Sequence, residues 1–284
     1  AMSCILAVVI VSYMTIRMIQ NDSIQESMQI YLEQITREID SDYYDMIGIV
    51  NQMSPNGLIG SVTESYLSAE DNYNRYFEQK SLREELIKLG YVNTKLLGIA
   101  YYDPKEQKEL IGNFNVRVLD PTYQTISKVV VGADNTIQAM HDSYLGIKET
   151  PVVSVMRRVS FGNQKMLDIY AEIEPDMSVS DQLNKEKWPY TYMEMDENGI
   201  VQYSNNPVIV RGQKILSELP KKEGYAVTNQ EGYKIMVYRS TIGYANAIAL
   251  PENIYQKEMN MWRLKLVVII LSALGIFSCS VIYL

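Results

Sequence analysis

The C-terminal 19 residues, Leu266–Leu284, contain no charged side chain, and this run restricts the architecture more than any other feature of the sequence. A helix rises about 1.5 Å per residue, so such a run crosses about 30 Å, the thickness of the hydrocarbon core of a membrane. The sequence therefore predicts a membrane-spanning helix over residues 264–284, with Trp262, Arg263 and Lys265 as interfacial anchors.

A second apolar run extends from Ala1 to Ile16 at the start of the chain. It is slightly short for a complete span, so we expect residues 1–19 to be the C-terminal part of a first membrane helix, with Arg17 at the interface. A signal peptide is the alternative, but residues 19–22 (Ile-Gln-Asn-Asp) lack the small-residue pattern of a cleavage site. Two crossings would place residues 20–262 on one side of the membrane, which we expect to be the extracytoplasmic side.

Composition narrows the kind of protein further. The two cysteines, Cys4 and Cys279, lie inside the predicted spans, so the intervening region has no thiol for a disulfide, as suits a bacterial surface protein. A formal charge of −8 excludes nucleic acid as a partner, because nucleic-acid binding needs a basic surface. The 22 tyrosines against 4 phenylalanines favour half-polar surfaces of the kind found in ligand pockets and partner interfaces.

Apolar residues at helical spacing predict a long stalk helix over residues 20–53, continuous or nearly so with the first span. Its apolar stripe has one missing step, at Asp42. Such a helix either packs on a core or forms the stalk of a dimer, and we expect a homodimer. The Ser54–Gly57 turn should end it, and two shorter helices should follow near residues 60–69 and 73–89.

From residue 96 the pattern changes to the alternation typical of strands. The interval 112–146 is predicted to be irregular, and a helical link is predicted from Pro175 to about Lys187. The predicted strands are Leu96–Tyr102, Lys108–Ile111, Val152–Ser160, Lys165–Ile173, Tyr190–Met195, Ile200–Ser204, Tyr225–Asn229, Tyr233–Arg239 and Ala245–Leu250. The similar hairpin spacing in both halves suggests a weak internal duplication.

Three segments resemble parts of the double Cache (dCache) sensor domains of bacterial transmembrane receptors. Thr191–Ser204 is similar to the hairpin that opens the membrane-proximal module, Ile242–Pro251 to its closing strand, and Met166–Ile173 to the last strand of the membrane-distal module. Residues 52–57 and 66–71 further resemble the sensor regions of YesM-type histidine kinases. The resemblance implies an α+β fold in which a long N-terminal helix carries two stacked PAS-like (Cache) modules, flanked by two transmembrane helices.

The resemblance also implies a division of the chain. We expect, in order, a partial first transmembrane helix (1–19), a stalk helix (20–53), a membrane-distal PAS-like module (54–175), a connector (176–189), a membrane-proximal PAS-like module (190–251), an exit helix (252–263) and a second transmembrane helix (264–284).

One face of the predicted hairpin over residues 152–173 is a candidate ligand site. With Gly162-Asn163 as a two-residue turn, Arg157 pairs with Asp168 and Val155 with Tyr170. Arg157, Asp168 and Tyr170 would then offer charges and an aromatic ring to a polar ligand. The alternative is a cross-strand ion pair on a solvated face, worth about 0.2–1 kcal/mol.

Three more tyrosines, Tyr101, Tyr123 and Tyr144, are candidate pocket residues, because the irregular interval could cover the sheet as a binding loop. Ordinary half-buried packing explains them equally well. The resemblance implies a small-molecule ligand, for which a carbohydrate is our expectation from the YesM-type likeness, or a ligand-carrying protein. The dCache subclass that binds amino acids has an Arg-x-Trp-aromatic motif, whereas Trp188 of this chain lies in the connector.

No catalytic signature is present. The single histidine, His141, has no cysteine nearby and, with Asp142, is expected to form a surface pair. The acidic stretch Asp196-Glu197-Asn198 lacks the later glutamate of a calcium loop and fits a hairpin turn instead. The sequence thus predicts no cofactor, no metal site and no enzyme activity for this segment.

The sequence favours a receptor sensor that converts ligand binding in the distal module into movement of the second transmembrane helix. The resemblance implies that the full-length protein is a histidine kinase, with a transmembrane AraC-type regulator or a chemoreceptor as alternatives. An extracytoplasmic protein-interaction scaffold is a hypothesis of a different class. A membrane-tethered hydrolase is disfavoured, since no nucleophile–base motif occurs.

Overall fold

The computed structural model describes residues 2–112, 134–144, 151–162, 164–175, 190–216, 219, 224–230, 232–240 and 244–282. These residues form four helices and ten strands. The helices are α1 (Met2–Met53), α2 (Leu58–Ser68), α3 (Asn72–Val92) and α4 (Glu252–Ile282). The strands are β1 (Leu96–Asp103), β2 (Lys108–Gly112), β3 (Thr136–Asp142), β4 (Pro151–Phe161), β5 (Lys165–Ile173), β6 (Thr191–Met195), β7 (Val201–Ser204), β8 (Gly224–Gln230), β9 (Tyr233–Arg239) and β10 (Ala245–Pro251).

Helix α1 confirms the predicted long helix and runs unbroken for 52 residues. Its buried apolar positions recur every three or four residues, as a helix packed along one side requires: Ile24, Met28, Leu32, Ile35, Ile39, Tyr43, Met46, Ile49, Val50 and Met53. It ends at Met53 because Pro55 disfavours a helical conformation at Ser54. The hydroxyl of Ser54 adds a second hydrogen bond, at 2.8 Å, to the carbonyl of Val50, which also accepts from the backbone N–H of Ser54 at 3.0 Å.

The two membrane spans predicted for residues 1–19 and 264–284 are not reproduced. Within the described residues, no helix contains an apolar stretch long enough to cross a membrane. In α1 the apolar residues give way to Arg17, Asn21 and Asp22 while the helix itself continues.

Both sheets are antiparallel, and both have the same strand order. The first is ordered β2-β1-β5-β4-β3 and the second β7-β6-β10-β9-β8, so each places its second strand at one edge and its fifth strand in the centre. The α+β prediction is therefore confirmed. The two halves of the chain therefore repeat one sheet topology, as the similar hairpin spacing suggested.

The chain divides into two compact units. The first module comprises Ile35–Met177 and Ser240–Tyr244, and the second comprises residues 1–34, Ser178–Arg239 and Ala245–Leu284. The second module has an aliphatic core on one face of its sheet, where side chains of β6, β9 and β10 pack against Ile209, Ile215, Leu216 and Leu219. The predicted connector, residues 176–189, lies outside the described residues.

Strand β3 corrects the prediction that residues 112–146 are irregular. Within the described part of that interval, Thr136–Asp142 pairs antiparallel with β4. Its polar residues do not alternate regularly with apolar ones, and a register shift between Gln138 and His141 interrupts the pairing. Because of these two features, the alternation of polar and apolar residues does not predict the strand.

The predicted register of the β4–β5 hairpin is wrong by one residue. Phe161 pairs with Lys165, so three residues separate the two strands, where the prediction assumed two. Gln164 has φ of 57°, the left-handed conformation that three-residue hairpin loops use. Consequently Arg158, and not Arg157, lies opposite Asp168.

Candidate polar ligand site

One face of the first sheet carries polar side chains where a core would normally be aliphatic. Alternation along β5 places Asp168, Tyr170 and Glu172 on the same side of the strand. The polar residues among their partners on the neighbouring strands complete a set that we call the polar sheet face: Tyr102, Ser154, Arg158, Asp168, Tyr170 and Glu172. Five of these residues are 0% exposed: Tyr102, Ser154, Asp168, Tyr170 and Glu172.

Arg158 and Asp168 form a two-pronged ion pair on this face. Nε of Arg158 donates to Oδ1 of Asp168 at 2.7 Å, and Nη2 donates to Oδ2 at 2.9 Å. The Asp168 side chain is fully buried, whereas that of Arg158 is 32% exposed. The parallel geometry compensates the buried carboxylate and fixes the orientation of both side chains.

Glu172 is the centre of a second cluster. The hydroxyl of Tyr170 donates to its Oε2 and that of Ser143 donates to its Oε1, each at 2.5 Å. Burial raises the pKa of Glu172, although these two hydrogen bonds and one from the backbone N–H of Tyr144 oppose the shift. Burial and the neighbouring Glu172 together raise the pKa of Tyr170, which keeps that phenol protonated as a donor.

His141 of β3 extends the cluster, which corrects the prediction of a surface pair. The residue is 8% exposed, and its Nδ1 lies 2.6 Å from the carbonyl oxygen of Asp142. A carbonyl oxygen only accepts, so Nδ1 carries the proton, and in the neutral ring Nε2 accepts from the hydroxyl of Ser154 at 2.8 Å. The ring of Tyr144 stacks on His141 with centroids 4.1 Å apart and planes tilted by 17°.

The structure brings three of the six predicted site residues together. Asp168 and Tyr170 lie on the polar sheet face, and the ring of Tyr144 is 6.3 Å from that of Tyr170. Arg157 and Tyr101 lie on the opposite face, and Tyr123 is outside the described residues. Arg158, Glu172 and His141 were not predicted as site residues. Strand alternation from Asp168 through Tyr170 was the signal that could have identified Glu172.

Tyr101 has a structural role. Its hydroxyl donates to the carbonyl of Met53, at the end of α1, at 2.5 Å, and its ring meets Phe161 edge-on at 6.1 Å. Burial raises the pKa of Tyr101 far above its ordinary value, so the hydroxyl stays protonated. Tyr101 thus ties β1 to the turn that follows α1.

We expect Tyr101→Phe to lower the free energy of unfolding by about 1–2 kcal/mol, because it leaves a buried carbonyl without its donor. Urea denaturation followed by circular dichroism measures the change. Tyr91→Phe is the control, since Tyr91 is 81% exposed, and it should have no measurable effect. Equal stability of the two variants would contradict the structural role of the Tyr101 hydroxyl.

Among the described residues, no group of three or more His, Cys, Asp or Glu side chains is arranged to hold a metal ion. The polar sheet face offers hydrogen-bond donors and acceptors, one compensated ion pair and the tyrosine and histidine rings. The hydroxyl of Ser154 and Nε2 of His141 lie within hydrogen-bonding distance, at 2.8 Å, and both residues are buried.

No protein-family model matches the chain, and no curated protein sequence matches it. Solved structures do match. The sensor domain of the histidine kinase DctB from V. cholerae is 12% identical, with a TM-score of 0.52 over 82% of this chain and 98% of that one. The extracellular domain of rpHK1S-Z16, assigned as a histidine kinase, is 13% identical, with a TM-score of 0.51 over 83% of this chain and 96% of that one.

The extracellular domain of a third protein assigned as a histidine kinase, vpHK1S-Z8, is 10% identical, with a TM-score of 0.51 over 82% of this chain and 98% of that one. At these identities the likeness is one of fold. The long helix and the two five-stranded sheets of this chain thus share the fold of these three domains.

Proposed function

We propose that this chain is the extracytoplasmic ligand-sensing region of a bacterial transmembrane receptor, of the histidine kinase class, and that it has no catalytic activity of its own. The observation that carries the proposal is the polar sheet face. Burying polar groups costs free energy unless each is hydrogen-bonded, so a sheet built for stability alone would carry aliphatic side chains there. The first module keeps two buried carboxylates and two buried tyrosines there. The second module buries one carboxylate on its sheet, Glu194, in a hydrogen-bonded set with Tyr192 and Asn246.

The chemistry of this face fits a small polar ligand, and a carbohydrate best. Sugar hydroxyls donate to carboxylates and accept from phenols, while the apolar side of a sugar ring packs on an aromatic ring. Glu172, Tyr170 and Tyr144 provide these three kinds of contact within one cluster. The fold shared with histidine kinase sensor domains supports the receptor role but does not distinguish this ligand class from others.

The proposal also includes attachment to a membrane at both ends and dimerisation through α1. Exposed apolar side chains on α1 (Ile10, Val11, Met14) and on α4 (Val267, Val268, Ile269) support attachment. Tyr13 of α1 contacts Arg263 of α4: the guanidinium lies 5.0 Å above the tyrosine ring and donates to its hydroxyl at 2.5 Å.

A ligand that prefers one state of the receptor a thousandfold would supply about 4 kcal/mol to move α4.

Thermal unfolding of the purified chain tests the ligand site. D-galactose, L-glutamate and succinate, each at millimolar concentration, serve as probes of three ligand classes, and we expect D-galactose to raise the melting temperature. Tyr144→Ala should abolish this shift, because it removes the ring that borders the site. Tyr91→Ala, an exposed tyrosine on α3, is the matched control and should preserve it.

A shift that survives Tyr144→Ala unchanged would place binding elsewhere on the chain. A shift with L-glutamate or succinate instead of D-galactose would contradict the carbohydrate assignment and retain the sensor role. No shift with any of the three would contradict the proposed site.

The raised pKa of Glu172 makes stability depend on pH. Glu172 binds its proton more tightly in the folded chain than in the unfolded chain, where the pKa is near 4.5, so its contribution declines as pH rises above 4.5. Between pH 4.5 and 7.5 the wild type should therefore lose more stability than Glu172→Gln, whose side chain does not titrate. Urea titrations at both pH values measure this difference, and parallel behaviour of the two proteins would contradict the shift.

A further inference from the structure

A cavity of about 280 Å³ lies between α3 and the edge strand β2. Helix α3 contributes Tyr76, Gln79, Lys80 and Arg83, and β2 contributes residues 109–112. Tyr76, Lys80 and Arg83 are spaced by four and three residues, which places them on one side of the helix. The helix therefore presents an aromatic ring and two cations to the same space.

The strand side of this cleft offers backbone groups. In the order of described strands β2 is outermost, so its outer edge has no partner among them. A register shift also interrupts the pairing with β1: Ile111 lies opposite Tyr101 and Glu109 opposite Tyr102, which leaves Leu110 unpaired. Bulges of this kind are common where a sheet edge borders a functional site.

The cleft is electropositive in a chain whose formal charge is −8. Lys80 lies 4.0 Å from Glu84, but both side chains are more than half exposed, so this ion pair is weak. Glu109 is the acidic residue of the lining, and burial raises its pKa, against an opposing effect of Arg83. Two cations thus face one carboxyl group that holds its proton more readily than usual.

We propose that this cleft binds a small organic carboxylate carried on a ring, of the sugar-acid class. The planar guanidinium of Arg83 matches a carboxylate in two-pronged geometry, and Lys80 adds a second positive charge. Tyr76 offers a surface for the ring, and the outer edge of β2, which pairs with no other described strand, offers N–H and C=O groups for hydroxyls. This site is additional to the polar sheet face; the two approach each other at Glu109, which pairs with Tyr102.

Titration calorimetry with D-glucuronate and D-glucose tests the proposal, because the two sugars differ in the carboxylate and share the ring. We expect D-glucuronate to bind the full chain with an affinity that Arg83→Gln and Lys80→Gln each lower at least tenfold. D-glucose should not compete with D-glucuronate. Lys88→Gln is the matched control, since Lys88 lies on the same helix outside the cleft and pairs with Glu85 at 2.7 Å.

Tyr144→Ala distinguishes this site from the polar sheet face and should leave D-glucuronate binding unchanged. The proposal is overturned if D-glucuronate does not bind, if it binds Arg83→Gln as tightly as the wild type, or if D-glucose displaces it. Loss of D-glucuronate binding in Tyr144→Ala, with Arg83→Gln unaffected, would assign the anion to the polar sheet face instead. Circular dichroism of each variant confirms that the substitutions leave the fold intact.

Discussion

Arg158→Ala is expected to lower the free energy of unfolding by about 3 kcal/mol. The substitution leaves the carboxylate of Asp168 buried without the cation that compensates it, and breaking a buried ion pair in this way costs about 3–5 kcal/mol. We expect the lower end of this range because Arg158 is 32% exposed, so water already reaches part of the pair. Urea denaturation at neutral pH measures the loss.

Arg157→Ala is the matched control, one residue away on the same strand. The guanidinium of Arg157 donates to Oδ1 of Asn51 at 2.8 Å in an exposed hydrogen bond, and its loss should cost at most about 1 kcal/mol. The pair of variants therefore also tests the register of the hairpin. A larger loss for Arg157→Ala than for Arg158→Ala would show that the two-residue turn expected from the sequence is correct after all.

Gly60→Ala is expected to destabilise the first module by about 1–3 kcal/mol, the usual cost of overpacking. A Cβ atom at residue 60 would lie 1.8 Å from the carbonyl oxygen of Ser54 and 2.6 Å from its carbonyl carbon. Both atoms belong to the backbone of the turn between α1 and α2, so no side chain can rotate away. The turn itself has to open, which disturbs the end of the long helix.

Gly48→Ala separates this close approach from the general effect of replacing glycine. Gly48 lies inside α1, and a Cβ atom there would meet nothing within 4 Å. Alanine in a helix interior is favoured over glycine by about 0.5–1 kcal/mol, so this variant should be more stable than the wild type. Changes of the same sign in the two variants, measured as midpoints of urea denaturation, would contradict the packing of the turn.

Much of the secondary structure was predictable from the sequence because its signals are local. The long helix follows from its apolar spacing, and its end follows from Pro55. The missing step in the apolar stripe, at Asp42, has a cause that is not local. Asp42 is buried with the rest of the stripe, and Lys95 pairs with it at 2.8 Å. The helical pattern could not predict this partner, because Lys95 lies 53 residues away in the chain.

The candidate site was less predictable because it depends on pairing between strands. A single extra residue in the hairpin loop exchanges Arg157 for Arg158 and moves the cation to the other face of the sheet. His141 was misassigned for a related reason. Its burial depends on β3, and the polar residues of that strand give no regular alternation.

The two modules share one strand order but differ in what they bury. In the second module one sheet face is filled with methionine, isoleucine, leucine, valine and alanine, which stabilises it without offering ligand contacts. Elsewhere on its sheet the second module buries one carboxylate, Glu194, which accepts from the hydroxyl of Tyr192, whereas the first buries two carboxylates and compensates one of them with Arg158. This difference is why the proposal assigns sensing to the first module.

Hydrogen–deuterium exchange with and without D-galactose tests the central claim most directly, because it locates the binding site along the chain. The proposal predicts slower exchange in peptides covering residues 134–144 and 164–175, which contain His141, Tyr144 and the polar residues of β5. Peptides covering β8 and β9 should be unchanged. Slower exchange confined to the strands of the second module, with none in residues 134–175, would contradict it.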